Sequence, residues 1–404
     1  MKILAIDTSC DDTSIAIADF SQKKSSFSFS LLANIVSSQV EIHKKWGGVY
    51  PTLAKREHQK NLTPVLTKTL KKAKLLKKRK EIKEINAKKI KKIKKFLERE
   101  PELAEELIFF LKNYQKPKIE SIAVTIGPGL DPCLWTGINF SKAIAYFWNL
   151  PVIPVNHLQG HIFSAFLGRN ISKLQTLISN PNKLLPAICL IVSGGHTQLI
   201  LMEKIGKYKL IGETRDDAAG ECFDKTARIL GLSYPGGPAI AIEAKKYCPT
   251  KNSIEISLPR PMIKQNNYDF SFSGLKTAVL YNFKKQPLKI RKSKKYVQIM
   301  AKEIQQTIID ILIKKTIEAA KNSQAKSVII GGGVTANKEL RLQFKKILKK
   351  EKINFILPET KFSTDNAAMI ALAACFQKQK TKDYQKIKSE PNLTFNQESN
   401  NKNF

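Results

Sequence analysis

The 404-residue chain is 42% hydrophobic and 25% charged, the balance of a soluble globular protein with room for one or two domains. Its formal charge of +35 invites a polyanionic partner, but 60 of its 69 basic residues are lysine and 9 arginine, so a general lysine bias accounts for part of the excess. Six scattered cysteines without a CxxC pair, an opening MKILAID run cut by Asp7, and no uncharged apolar stretch of about 18 residues exclude a disulfide framework, a signal peptide and a membrane helix, and predict a cytoplasmic protein.

KILAIDTS reads as an apolar strand, CDDTS as a turn and IAIAD as a second strand, a hairpin carrying Asp7, Asp11 and Asp12. Residues 57–73 set Leu62, Val65, Leu66, Thr69 and Leu70 on one stripe of a helix. A lysine-rich helix is predicted over 77–98, with Ile82, Ile85, Ile93 and Phe96 as its apolar residues. Pro101 breaks it and opens another, where Glu102, Glu105 and Glu106 suit the positive end of the helix and Leu103, Leu107, Phe110 and Leu111 form the stripe. Residues 71–95 hold fourteen basic and two acidic side chains. The hairpin 77–115 is expected to project from the core, either as a clamp on nucleic-acid backbone or as a solvated face. SIAVTIGPGL is a buried strand meeting a Gly-Pro-Gly turn, with a helix following through 143–148. Residues 168–185 read as a polar surface loop. AICLIVSGGHTQLILME repeats the strand–turn–strand pattern of the opening, so a duplicated α/β core of two related lobes is expected. SVIIGGGVTANKELRLQFKKIL reads as strand, glycine turn and helix. Residues 386–404 are polar, contain Pro391 and lack periodicity, which predicts a frayed tail.

Four glycine-containing turns stand out: GPGL (127–130), SGGHT (193–197), YPGGPA (234–239) and GGGVTAN (331–337). Such turns let backbone amides approach a phosphate, and a following helix adds a favourable field. None is a Walker P-loop or a GxGxxG fingerprint. Asp7, Asp11 and Asp12 are either turn formers or groups facing a phosphate or metal. Asp216, Asp217, Glu221 and Asp224 crowd one helix start, either as a binding cluster or as solvated helix-start acids. His157 and His161, in VNHLQGHI, are four residues apart and share a helix face. If Asp365, in FSTDNAAMIA, folds back onto them, a two-His, one-carboxylate site for iron(II) or zinc results; the alternative is two histidines on a half-buried helix. Leu158 stands where a zinc protease needs its Glu base, so proteolysis is the weaker inference.

Taken together, IDTSCDDTSIAI, SSQVEIHKKWGGVYP, AKREHQKNLTPVL, VTIGPGL, NHLQGHI, LIVSGGHTQLI, DDAAGECFDKTARILGLSYPGGP, DFSFSGLKTA, GGGVTANKELR and STDNAAMIA closely resemble the tRNA N6-adenosine threonylcarbamoyltransferase family, once labelled O-sialoglycoprotein endopeptidase. The resemblance covers nearly the whole chain in the expected order. It implies an α/β, actin-like fold (that of acetate kinase, Hsp70 and actin) of two related lobes. These would be an N-terminal lobe over 1–153 with the hairpin 77–115 inserted, and a C-terminal lobe over 154–365 with the glycine turns and metal histidines. A terminal helix over 366–385 would return to the N-terminal lobe ahead of the tail 386–404.

The activity implied is transfer of a threonylcarbamoyl group from threonylcarbamoyl-AMP to the exocyclic amine of the adenosine beside the tRNA anticodon. Carried over by residue, the metal ligands are His157, His161 and Asp365, with iron(II) first and zinc as the alternative. Substrate contacts fall on Ile191, Val192, Ser193, Gly194, Gly195, Asp224, Gly237 and Asn337, and Asp11 is the candidate catalytic or orienting acid. The partners implied are the tRNA anticodon loop, a small paralogous actin-fold protein and an ATPase, with no membrane. The chain departs from the family pattern at DPCLWTG after GPGL, at Ala241 where an acid is common, at Gln159 where Glu is usual, and in the insertions 77–115 and 168–185. An actin-fold small-molecule kinase and a non-catalytic nucleotide-binding scaffold are the alternative functions. In the implied chemistry AMP is a ready leaving group and the adenine amine a poor nucleophile, so positioning and charge stabilisation carry the rate.

Overall fold

A computed structural model of the chain describes residues 1–23, 26–249, 256–377 and 379–395. The chain forms two compact units, the first from Met1–Glu41, Val49–Ser179 and Asp365–Phe404, the second from Ile42–Gly48 and Asn180–Thr364.

In the first unit β1 (Lys2–Asp7), β2 (Asp12–Lys23), β3 (Ser26–Ser38), β4 (Ser121–Gly127) and β5 (Val152–Asn156) form a mixed sheet in the order β3-β2-β1-β4-β5. The first three strands are antiparallel, with Asp7 paired to Ser14, while β4 and β5 join in parallel. Leu4, Ile6, Ile15 and Ile17 face one buried layer. That layer also takes the apolar sides of α2 (Pro51–Lys72), α3 (Ala87–Phe96), α4 (Pro101–Asn113) and α5 (Asp131–Trp148). The small residues Ala5, Ala16 and Ala18 alternate onto the opposite face. There α14 (Ala367–Ala374), every residue of it buried, lies against β1, β2 and α6 (His157–Ser164). A short α1 (Val40–Lys44) follows β3.

Several local expectations change. Only Ala87–Phe96 of the predicted helix 77–98 is helical, started by Asn86, whose side chain accepts from Lys88 N. Residues before it are not helical and bond to the end of α4, Arg79 N donating to Asn113 O (2.8 Å) and Gln115 N to Lys77 O (2.8 Å). Rather than projecting, the 77–115 segment buries Ile85, Ile93, Leu97 and Leu107 in the sheet's own core. The helix expected through 143–148 starts as soon as its turn ends, at Asp131, because Pro132 suits a first turn. The loop expected over 168–185 contains α7 (Ile171–Ser179), held by buried Leu174 and Leu177. Residues 386–395 are not a frayed tail: Ile387, Leu393 and Phe395 are buried, and Glu390 N donates to Ile126 O (2.7 Å). Three anchors without a period escape pattern reading; residues 396–404 lie outside the described residues.

The second unit repeats the first. Its sheet, β10-β9-β6-β7-β8, is built from β6 (Ala187–Val192), β7 (Thr197–Lys204), β8 (Lys207–Glu213), β9 (Ser327–Gly331) and β10 (Asn354–Ile356). Again three strands are antiparallel and two join in parallel. Around it lie α8 (Ala219–Ile229), α9 (Gly236–Lys246), α10 (Ser273–Lys285), α11 (Leu288–Arg291), α12 (Lys294–Asn322) and α13 (Lys338–Lys350). Met300, Ile304, Ile308 and Leu312 of α12 fill the core beneath β6. This is the α/β, actin-like class of two related lobes. The division differs from the expected one, because His157 and His161 belong to the first unit.

Candidate metal centre

The run VNHLQGHI starts its own helix. Asn156 Oδ1 accepts from Leu158 N (2.8 Å) and Gln159 N (3.4 Å), so α6 begins at His157 and places His161 one turn on. Asn366 starts α14 in the same way, its Oδ1 accepting from Met369 N (3.2 Å), while Ala367 N donates to Ser14 Oγ on β2 (2.8 Å). Asp365 thus stands just outside the helix with its carboxylate unused by the cap. Gly160 allows the two helices to meet, since a Cβ there would lie 2.9 Å from Ile370 Cδ1.

As a result Asp365 Oδ1 lies 3.5 Å from His157 Nε2 and 3.2 Å from His161 Nε2, and the three potential ligand atoms are within 4.8 Å of one another. Bonds of about 2.1 Å to a divalent ion put neighbouring ligands about 3.0 Å apart in an octahedral shell and about 3.4 Å apart in a tetrahedral one, the range of both Asp365–histidine distances. Both ring nitrogens of the fully buried His161 lack an aligned hydrogen bond, and a bound cation would remove that cost at Nε2.

Asp7 completes the arrangement. It is the buried last residue of β1; its Oδ1 accepts from Ser9 N (3.2 Å) and its Oδ2 faces His157 Nδ1 at 3.6 Å. A carboxylate behind a ligand imidazole selects the tautomer that leaves Nε2 free. In the sequence Asp7 is one of three acids in the first hairpin, and only its position at a strand end hints at this task.

Burial disfavours charge on His157, yet Asp365 and Asp7 outweigh it and lift its pKa to about 10. Burial also opposes ionisation of Asp365, but the two histidines hold it well below the usual carboxylate range. His161 is lowered, chiefly by burial. Asp12 is pushed up to about 7 by burial and then by Asp11, against a hydrogen bond from Ser38. Among the described residues no lysine or arginine forms an ion pair with Asp7, Asp12 or Asp365. Without an ion, a proton on His157 supplies the positive charge this pocket demands. Asp11, half-buried, lies in the same turn, where burial first and then its carboxylate keep the Cys10 thiol neutral. His58, from AKREHQKN, pins that turn through Cys10 O (2.9 Å) and Thr13 Oγ1 (2.7 Å), a task the sequence did not reveal.

The predicted substrate residues lie in the second unit. Ile191 and Val192 end β6, and Ser193–Gly194–Gly195 form the turn to β7, open enough that a Cβ on Gly194 or Gly195 would meet nothing within 4 Å. Gly332, at φ +95, brings the turn after β9 against β6, where a Cβ would lie 2.4 Å from Val192 O. Asp224 Oδ1 accepts from Gly236 N (2.7 Å), tying α8 to the start of α9 and Gly237. Beside Asp224 opens a cavity of about 190 Å³ whose lining includes Lys44, Arg228 and Tyr234. Asn337 caps α13 through Leu340 N (3.1 Å) and donates to Gln305 Oε1 (2.9 Å). The other acids of the 216–224 cluster are engaged internally. Asp216 accepts from Phe272 N (2.7 Å) and from the hydroxyls of Ser271 and Ser273, and Lys225 pairs with Asp217 (2.7 Å) and Glu221 (2.9 Å).

The chain matches the family described as tRNA N6-adenosine threonylcarbamoyltransferase over residues 30–86 and 93–372. Curated relatives bearing that name include proteins from Persephonella marina, 39% identical over 92% of this chain and 88% of the relative, and Syntrophomonas wolfei, 39% identical over 92% and 91%. A third, from Thermosipho africanus, is 38% identical over 92% of this chain and 93% of its own length.

Proposed function

Because the chain belongs to the tRNA N6-adenosine threonylcarbamoyltransferase family, we propose that it transfers a threonylcarbamoyl group from threonylcarbamoyl-AMP to the N6 amine of the adenosine beside the tRNA anticodon. The observation that carries the reading is the convergence of His157, His161 and Asp365 inside the stretch the family matches. The amine attacks the carbamoyl carbon; as the C–N bond forms, the bond from that carbon to the phosphate oxygen breaks, AMP leaves, and the amine gives up a proton. His157, His161 and Asp365 hold a divalent ion in this reading, iron(II) or else zinc, whose contribution when bound is Lewis-acid polarisation of a donor oxygen.

Asp7 keeps the His157 ring turned with Nε2 toward the trio. Asp11, on the acidic turn, accepts the amine proton. The turn Ser193–Gly194–Gly195 offers backbone amides to the donor phosphate, held in place by Ile191 and Val192, while Asp224, Gly237 and Asn337 orient the adenylate. An unstacked anticodon-loop base can be splayed out to meet the donor. A small paralogous actin-fold protein and an ATPase are the proposed partners, and the cytoplasm the compartment.

The test is to load the purified chain with iron(II) or zinc, supply threonylcarbamoyl-AMP and unmodified tRNA, with and without both partners, and analyse the nucleosides by mass. Modified adenosine should appear in proportion to bound metal. Phosphorylation of a small molecule without tRNA would assign a kinase instead, and no transfer with every component present overturns the reading.

A further inference from the structure

From Phe270 to Lys302 the chain contains no Asp or Glu and nine basic residues, seven of them between Lys284 and Lys295. This stretch forms the elbow where α10 ends, α11 makes one turn and α12 begins. Its frame is ordered: Arg291 N donates to Pro287 O (3.0 Å), Ser293 Oγ accepts from Tyr296 N (3.3 Å), and Tyr296 Oη donates to Asn282 Oδ1 (2.9 Å). The Phe283 ring packs near Tyr296, with centroids 6.2 Å apart, and carries the Arg291 guanidinium 5.4 Å from its own centroid.

Lys284, Lys285, Lys289 and Lys292 are exposed on this frame, and among the described residues none of them forms an ion pair with a carboxylate. Lys294 and Lys295 open α12, where the helix field already favours anions rather than cations. Like charges held close together without acids repel one another, and a polyanion relieves that repulsion. Tyr281, 67% exposed, shares a face of α10 with Lys284 and Lys285, because the three are spaced three and four residues apart. An exposed aromatic ring beside lysines suits a nucleic acid, whose phosphates take the charges and whose bases or riboses take the ring.

The denser lysine run in the first unit is less free. Lys94 pairs with Glu105 (2.6 Å), Lys83 and Lys89 lie over Phe147 (5.7 Å each), and Lys92 lies over Phe96 (5.0 Å). We propose that the α10–α11–α12 elbow is a docking surface for the phosphate backbone of tRNA, with Tyr281 stacking against an exposed base or ribose. The inference rests on the tRNA-modifying reading and adds a contact surface on the second unit. The source of the negative charge is RNA rather than a lipid surface, since only Leu288 and Ile290 add aliphatic exposure here.

The test compares the full chain with a variant carrying Lys284→Gln, Lys285→Gln, Lys289→Gln and Lys292→Gln, using unmodified tRNA titrated by fluorescence anisotropy across a salt series. Each phosphate contact contributes roughly 0.7–0.9 to the log–log salt slope, so the variant should lose about 3 from it and bind tRNA on the order of 10–100-fold more weakly near 0.1 M salt. Its melting curve and metal content should match the parent, and Tyr281→Ala should weaken binding while leaving the salt slope alone. An unchanged slope and affinity in the folded variant would overturn the proposal. So would a loss confined to binding of anionic phospholipid vesicles, which assigns the elbow to a membrane surface. If the parent binds tRNA through these lysines yet transfers no threonylcarbamoyl group, the reading of the activity fails and the RNA surface stands.

Discussion

The two sheets share one topology, yet the turns between their first two strands carry opposite chemistry. Between β1 and β2 the chain runs Thr8, Ser9, Cys10 and Asp11, flanked by Asp7 at the end of β1 and Asp12 at the start of β2. Between β6 and β7 the equivalent turn is Ser193, Gly194, Gly195 and His196, with no carboxylate and two open glycines. The strand ends differ as well: β5 runs straight into the histidine helix, while the chain after β10 leads to Asp365 at the edge of the first unit. Duplicating a fold repeats where its turns emerge, not which ion they attract. The acidic turn repels phosphate and gathers positive charge; the glycine turn presents backbone amides and suits phosphate.

The largest expected effect comes from removing the carboxylate that joins the trio. Asp365→Asn removes the negative charge from the side chain whose Oδ1 lies within 3.5 Å of both Nε2 atoms. Affinity for iron(II) or zinc, read by competition with a chelator, should fall more than about 100-fold, since even a partner behind a ligand costs 10–100-fold. Asn366 still caps α14 in the variant, so the helix should keep its place. Unaltered metal affinity would erase the contrast between the two turns.

How much of this was legible follows from what patterns can encode. The two histidines were readable because a four-residue spacing on a helix fixes a shared face, and Asn156 supplies the cap that starts the helix. Both strand–turn–strand openings were readable from apolar runs ending in polar or glycine turns. Asp7 behind His157 was not, because only the parallel β4 and β5 bring the end of β1 near the start of α6. Residues 77–86 carry the lysine and isoleucine pattern of a helix, but their backbone groups bond to the end of α4 instead, a partner that local pattern does not encode. The elbow at 284–295 escaped notice because charge density in sequence does not say which lysines find partners. The denser run at 71–95 drew attention, yet several of its charges are paired or lie over aromatic rings.

A second, smaller effect sharpens the comparison through pH. Burial and Asp11 raise Asp12 to about 7, above the 3.8 of an unfolded aspartate, so the folded chain holds its proton where the unfolded chain has released it. In metal-stripped protein that proton's contribution to stability is complete below about pH 4 and is lost as pH rises to about 7. Asp12→Asn removes this loss, and the stability gap in favour of the variant should widen by up to about 4 kcal/mol across that window. Parallel denaturation curves for the two proteins from pH 4 to 7 would show that the acidic turn carries no such strain.

The smallest effect on stability is expected at the glycine turn, and its smallness is the point. At Gly332 a Cβ would collide with Val192 O, but at Gly195 it would meet nothing within 4 Å. Gly195→Ala should therefore change unfolding free energy by no more than about 0.5 kcal/mol, as surface substitutions do. Its methyl group would nevertheless stand in the space that a phosphate needs to approach the backbone amides. Binding of AMP, followed by calorimetry, should weaken roughly tenfold while the melting temperature stays put. Equal AMP affinity in the two proteins would mean that the open turn is empty by accident, and that the neutral half of the comparison has no ligand chemistry of its own.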